Sequence, residues 1–181
     1  MGKQEYNCTF AAQQIYKFHS TAFYFLQRFY YDGNLGSLPR HCSQTCHGHD
    51  WHFVVVTDKG QLQKLSEANP YAAMTAKASL AIVVCGDMKK AAEGNAREFW
   101  IQDCSAATEN ILLAATGMGL GAVWTGTYPS KERCADVAKV LGLPESLIPL
   151  NTIVIGYPDA DVSPKDKWNT ENISYNTYGE K

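Results

Sequence analysis

The chain has 181 residues, of which 45% are hydrophobic and 19% are charged. This length and balance predict a single globular domain over residues 1–181 and exclude a disordered chain. The net charge of −2 gives no bulk attraction for nucleic acid, and the absence of long apolar runs and of a secretory signal predicts a cytoplasmic protein without a membrane span.

Residues 1–50 have an irregular pattern. An aromatic-rich stretch at 15–31 has apolar residues on all sides of any helix it forms. A Cys/His-rich segment follows at 41–52, and Cys42 and Cys46 have a loosely ligand-like spacing. No second Cys/His pair with zinc-finger spacing lies downstream, so a loop without a metal is favoured over a metal site. The six cysteines of the chain are expected to be reduced thiols.

From Trp51 onward, short apolar runs alternate with helical patterns. In chain order, the predicted elements are a strand at 52–57, a helix at 62–69, a strand at 80–85, a helix at 99–118, an extended segment at 122–125, a helix that Ser130 caps and that runs through Val140, and a strand at 152–155. The strand runs lack polar alternation, which favours strands covered on both faces. The alternation of strands and helices predicts an α/β or α+β sandwich.

An ordered set of six motifs occupies this part of the chain: WHFVVV at 51–56, QDCSAATENILLAA at 102–115, GLGAVWTG at 119–126, LGLP at 141–144, IVIGYP at 153–158 and PKDK at 164–167. In this order, the set resembles the FMN-dependent nitroreductase family. The resemblance implies an α+β fold with a mixed sheet flanked by helices. It also implies a homodimer with FMN at the subunit interface.

The resemblance further implies the chemistry. Electrons would pass from NADH or NADPH to the flavin and then to a nitroaromatic, quinone or similar small-molecule acceptor, by a ping-pong route. The sequence contains no recognisable Ser-His-Asp set and no paired carboxylates, and a hydride transfer to flavin requires neither from the protein. No bound metal ion is predicted.

The family motif places the flavin ring against Thr125, Gly126 and Thr127, with Trp124 beside them. Glycine permits close backbone approach to a flat ligand, and the alternative is a tight turn after a helix. Trp51 matches a tryptophan beside the flavin pocket, and the alternative is a core aromatic at a strand start. Both roles place Trp51 near the site.

Lys165 and Lys167 match the basic pair that binds the FMN phosphate. Residues two apart on an extended segment point to the same side, so both side chains could reach one phosphate. The alternative is two solvated lysines.

The amino-terminal part departs from the family pattern. The family carries an Arg-Arg-Ser-x-Arg segment that holds the phosphate, whereas Arg28 and Arg40 are the only arginines before position 97 and neither lies in such a motif. Either the chain is divergent here or residues 1–50 reflect an altered reading frame. Two other hypotheses therefore stay open: a flavin-binding protein without turnover, and a metal-binding or interaction module that uses segment 41–52.

Overall fold

The computed structural model describes residues 50–158 and 166–180. The helices and strands are β1 (Trp51–Val56), α1 (Lys59–Ala68), β2 (Leu80–Asp87), α2 (Phe99–Gly117), β3 (Gly121–Gly126), α3 (Lys131–Leu141) and β4 (Leu147–Gly156). Short 3-10 helices occupy Pro70–Lys77, Gly94–Glu98 and Thr170–Asn172. No helix within these ranges has both the length and the apolar character needed to cross a bilayer.

The strands form one sheet in the order β1-β2-β4-β3. All three pairings are antiparallel, so the predicted mixed character is not found among the described strands. A bulge between Val84 and Cys85 shifts the register of β2 on β4. The prediction of an α+β fold with helices flanking a sheet is confirmed.

The central strand β2 separates two hydrophobic cores, because successive side chains of a strand point to opposite faces. On one face, Leu80, Ile82 and Val84 pack with the α2 residues Trp100, Cys104 and Ile111. On the other face, Ala81, Val83 and Cys85 pack with Leu62, Leu65 and Val137 of α1 and α3. The prediction that this strand is covered on both faces is therefore confirmed.

Gly86, near the end of β2, lies directly under the Trp100 ring. A Cβ at this position would lie 2.3 Å from Cε3 of that ring. The close approach docks the first turn of α2 against the sheet, and Trp100 is 3% exposed as a result.

Helix caps fix the starts of α1 and α3, the first earlier than predicted and the second as predicted. The first helix was predicted to begin at residue 62, but Asp58 caps α1, and its carboxylate accepts a hydrogen bond from the Gln61 N–H at 2.9 Å. The helix therefore begins at Lys59. Ser130 caps α3 as predicted, because its hydroxyl accepts a hydrogen bond from the Arg133 N–H at 3.4 Å.

Two features were missed by the sequence patterns. The 3-10 helix Pro70–Lys77 is short and alanine-rich and has no apolar period, and Asn69 caps it by accepting from the Tyr71 N–H at 3.1 Å. The last strand begins at Leu147 and not at Thr152, although Pro149 lies within it. Its first half is irregular in register, which hides it from a pattern based on regular strands.

Candidate functional site

The turn at the end of β3 is anchored on both sides of Gly126. The Thr125 hydroxyl donates to the Thr152 carbonyl at 2.7 Å, and the Thr127 N–H donates to the Leu150 carbonyl at 3.0 Å. Both threonines are buried, at 4% and 0% exposure. The Thr125 side chain and the Thr127 backbone therefore fix the turn, and both buried side chains are closed to direct ligand contact from solvent.

Gly126 itself presents an open face. Its φ lies outside the left-handed region, and a Cβ built on it would meet no heavy atom within 4 Å. Neither the backbone conformation nor the packing of the described residues thus requires glycine here. The tight-turn alternative does not explain this glycine, whereas the close approach of a flat ligand from outside would.

The backbone of Gly126 also points outward from the sheet. Residue pairs in an antiparallel ladder alternate between hydrogen-bonded and non-bonded, and the Thr127 N–H bonds to Leu150. By this alternation, Gly126 directs its N–H away from β4. Since β3 is an edge strand of the described sheet, that N–H faces the outer edge.

The Gly126 carbonyl is held by two side chains that the sequence patterns did not identify as functional. Asn69 donates to it through Nδ2 at 3.1 Å, and the Arg133 guanidinium donates at 3.2 Å. The guanidinium also lies over the Tyr71 ring, 5.4 Å from its centroid. The only available signals were local ones, namely Asn69 at a helix end and Arg133 in the first turn of α3.

A buried hydrogen-bond chain supports the turn from the α2 face. Asn151 is the register partner of Gly126 and donates through Nδ2 to the Thr108 hydroxyl at 2.9 Å. That hydroxyl donates to the Cys104 carbonyl at 2.8 Å. Asn151 and Thr108 have 0% exposure, so this chain fixes α2 against β4 directly beneath the turn.

The two tryptophans predicted to lie near the flavin, Trp51 and Trp124, are at opposite edges of the sheet. Trp124 pairs with Ile153, lies on the same sheet face as Gly126 and is 38% exposed. Trp51 is half-buried at the start of β1 and packs against the core on the α2 face. Three strand spacings separate β1 from β3, which is about 14 Å. Within one chain, Trp51 and Gly126 are therefore not brought together.

The predicted phosphate-binding lysines are only partly within the described residues. Lys167 is exposed in the carboxyl-terminal segment, whereas Lys165 lies outside the described ranges. Segment 41–52 also lies outside them except for Asp50, Trp51 and His52, and His52 is exposed. The hypothesis of a metal-binding module in that segment thus stays untested. Among the described side chains, no group of three His, Cys, Asp or Glu residues could hold a metal ion.

Titratable groups in the cores are shifted toward their neutral forms. Burial, with the neighbouring Asp103 carboxylate, raises the pKa of Asp50. Burial also raises the pKa of the Cys85 thiol to about 12 and raises the pKa of the Cys104 thiol. A reactive cysteine needs a lowered pKa, so neither buried thiol is an activated nucleophile.

A cavity of about 590 Å³ lies along the edge of β3. It is bounded by the 3-10 helix that carries Met74 and Lys77, by Gly121–Val123, and by Tyr157. The volume suits a small molecule, but none of the predicted cofactor-binding residues within the described ranges lines it. The candidate site at Gly126 is thus a surface at the far end of the same strand and not this cavity.

Comparison with known families gives one match over the core of the fold. The family model described as "Nitroreductase family" matches residues 63–157. This range includes all of β2, α2, β3, α3 and β4, and it contains Gly126 with both of its side-chain partners.

Two archaeal relatives are similar over about the same region. One, from Methanothermobacter thermautotrophicus, is 42% identical over 123 residues, which is 68% of this chain and 63% of the relative. The other, from Archaeoglobus fulgidus, is 44% identical over 126 residues, which is 68% of this chain and 71% of the relative. Both are provisionally named NADH dehydrogenase/NAD(P)H nitroreductase.

Solved structures share the fold. A Bacteroides thetaiotaomicron protein with the same provisional name is 46% identical, with a TM-score of 0.66 over 71% of this chain and 73% of that chain. An FMN-dependent nitroreductase from Clostridium difficile is 26% identical, with a TM-score of 0.65 over 71% and 76%. The NADPH:FMN oxidoreductase of Vibrio harveyi, solved with NAD+, is 27% identical, with a TM-score of 0.61 over 73% and 61%.

Proposed function

This chain belongs to the nitroreductase family, and on that premise we propose that it is an FMN-dependent oxidoreductase. It would use NADH or NADPH to reduce nitroaromatic, quinone or similar small acceptors in the cytoplasm by a ping-pong route. The observation that carries the proposal is Gly126, whose open face and outward N–H suit a flat ring and are not required by the chain's own packing. The names of the Clostridium and Vibrio proteins, which include FMN, support the same cofactor.

Bound FMN would supply the chemistry, by accepting a hydride and passing the electrons on. The residues of the chain then have positioning roles. Gly126 offers a backbone donor to the ring edge, and Thr125 and Thr127 hold that donor in place from within the sheet. Trp124 is exposed on the same sheet face and would cover the adjacent surface. A prearranged backbone donor of this kind costs no reorganisation when charge develops on the ring.

We also infer that the working unit is a homodimer. Trp51 and Gly126 lie at opposite sheet edges in one chain, so a pocket that uses both must combine two copies. Apolar side chains exposed on and beside α2, including Leu113 at 62% and Met118 at 40%, offer contact surface for a second copy. Lys165 and Lys167 are proposed as phosphate ligands, since charged side chains that can reach one anion favour its binding.

The test is a visible absorption spectrum of the purified protein after incubation with FMN and removal of the excess. The expected result is a flavin band near ~450 nm that bleaches under argon on addition of NADH or NADPH. Retained flavin that neither nucleotide bleaches would support the alternative of a flavin-binding protein without turnover, which the missing arginine segment favours. A colourless protein would refute both the oxidoreductase and the flavin-binding hypotheses.

A further inference from the structure

We propose that Arg133 and Asn69 are positioning residues that set the backbone geometry of the flavin site through the Gly126 carbonyl. The inference rests on the proposed function, and it assigns roles to two side chains that are not among the predicted flavin contacts. Glycine has the widest conformational freedom of any residue, so a binding surface built on Gly126 needs an external constraint. The two side chains provide that constraint.

The constraint acts on one peptide unit from both sides. The Gly126 carbonyl accepts from Asn69 at 3.1 Å and from Arg133 at 3.2 Å, which occupies both lone pairs of the oxygen. The N–H of the same peptide, on Thr127, donates to Leu150. With all its hydrogen-bonding groups engaged, this peptide plane cannot rotate without breaking a charge-assisted bond.

The two donors are themselves held in place. Asn69 is 1% exposed, and its side-chain oxygen accepts the Tyr71 N–H, so its amide nitrogen must face Gly126. The Tyr71 ring lies under the Arg133 guanidinium at 5.4 Å, a cation–π contact that favours the orientation in which the arginine reaches the carbonyl. Because Asn69 caps the end of α1 and Arg133 lies in the first turn of α3, the end of β3 is tied to both helices of that face.

Arg133→Met removes the charge and the donor but keeps most of the apolar stem. In the FMN-free protein we expect backbone amide exchange at residues 124–128 to rise by about tenfold, as a constrained glycine is released. We expect the Kd for FMN to rise by about fivefold to tenfold. Arg133→Lys keeps the charge and an N–H donor but lacks the planar guanidinium, and it should restore part of both quantities.

Lys131→Met is the matched control. Lys131 is exposed in the first turn of the same helix, so this change removes an equal charge without touching Gly126. It should leave exchange at 124–128 and the FMN affinity at wild-type values. Equal effects of the two methionine variants would show that net charge, not the contact with the carbonyl, sets the affinity, and would overturn the inference.

The remaining outcomes separate this inference from the proposed function. If wild-type protein binds FMN and Arg133→Met binds it equally well with unchanged exchange, only the positioning role is wrong. If wild-type protein binds no FMN, the proposed function is wrong and the positioning role is wrong with it. Rescue of FMN affinity by lysine supports the inference because a purely steric role of the stem would be filled by methionine.

Discussion

Gly126→Ala should separate FMN binding from folding. The new methyl group would extend about 1.5 Å from the Cα, into the space where a ring at van der Waals contact would lie. A flat ligand cannot compress, so it must shift by about 1 Å or lose contact with the backbone donor. We expect the Kd for FMN to rise at least tenfold, which corresponds to about 1.4 kcal/mol.

The folded protein, in contrast, should tolerate the change. The φ of Gly126 is not in the left-handed region, and a Cβ there meets no atom within 4 Å. Replacing glycine where the backbone permits it stabilises a protein by about 0.4–1 kcal/mol, because the unfolded chain loses freedom. Urea unfolding of the FMN-free protein should therefore give an equal or slightly higher midpoint.

Gly117→Ala is the control for this experiment. Gly117 ends α2, is exposed, and also has no atom within 4 Å of a built Cβ. It should stabilise the protein by a similar amount and leave FMN binding unchanged, as followed by flavin fluorescence during titration. Wild-type affinity in Gly126→Ala would refute the ring contact. A loss of more than about 1 kcal/mol of stability would show that the turn itself requires glycine.

Two further predictions concern the cores. Thr108→Val should lower the free energy of unfolding, measured in urea, by about 1–3 kcal/mol, because it leaves the buried Asn151 amide without its acceptor. Thr116→Val, at an exposed threonine on the same helix, should lower it by under about 0.5 kcal/mol. Equal losses in the two variants would refute the reasoning. Burial raises the pKa of the Cys85 thiol to about 12 in the folded state, against 9.0 ordinarily. Above about pH 9 the unfolded chain therefore loses this proton while the folded protein keeps it, so the free energy of unfolding should fall as the pH rises. Cys85→Ala should reduce that decline, and an unchanged slope would contradict the assignment.

The fold was predictable where one principle dominates. The continuous apolar run of β2 is typical of a strand between two cores, and the helical spacing of apolar residues in α2 is typical of a buried helix. Both elements were therefore predicted within two residues of their ends. Boundaries set by a single side chain were less visible. Asp58 can end a strand or cap a helix, and only the hydrogen bond to Gln61 decides between them.

The sequence singles out only the central residue of the candidate site, and the contact of that residue with a flavin stays a prediction. Gly126 belongs to a local motif, and sequence alone suffices to single it out. Asn69 and Arg133 meet it from positions 57 and 7 residues away along the chain, through contacts that no local pattern encodes. Trp51 was predicted near the same site, but a sequence motif does not show that β1 and β3 lie at opposite edges of the sheet.

The contact between Gly86 and Trp100 constrains how this sequence can change over time. Any side chain at position 86 would enter the space of the indole ring, since even a Cβ would lie 2.3 Å from it. A larger residue at 86 is therefore tolerable only together with a smaller one at 100. Relatives that have lost Gly86 should therefore have lost Trp100 as well, whereas relatives that have lost only Trp100 can keep the glycine, and this one-way dependence marks lineages in which α2 packs differently on the sheet.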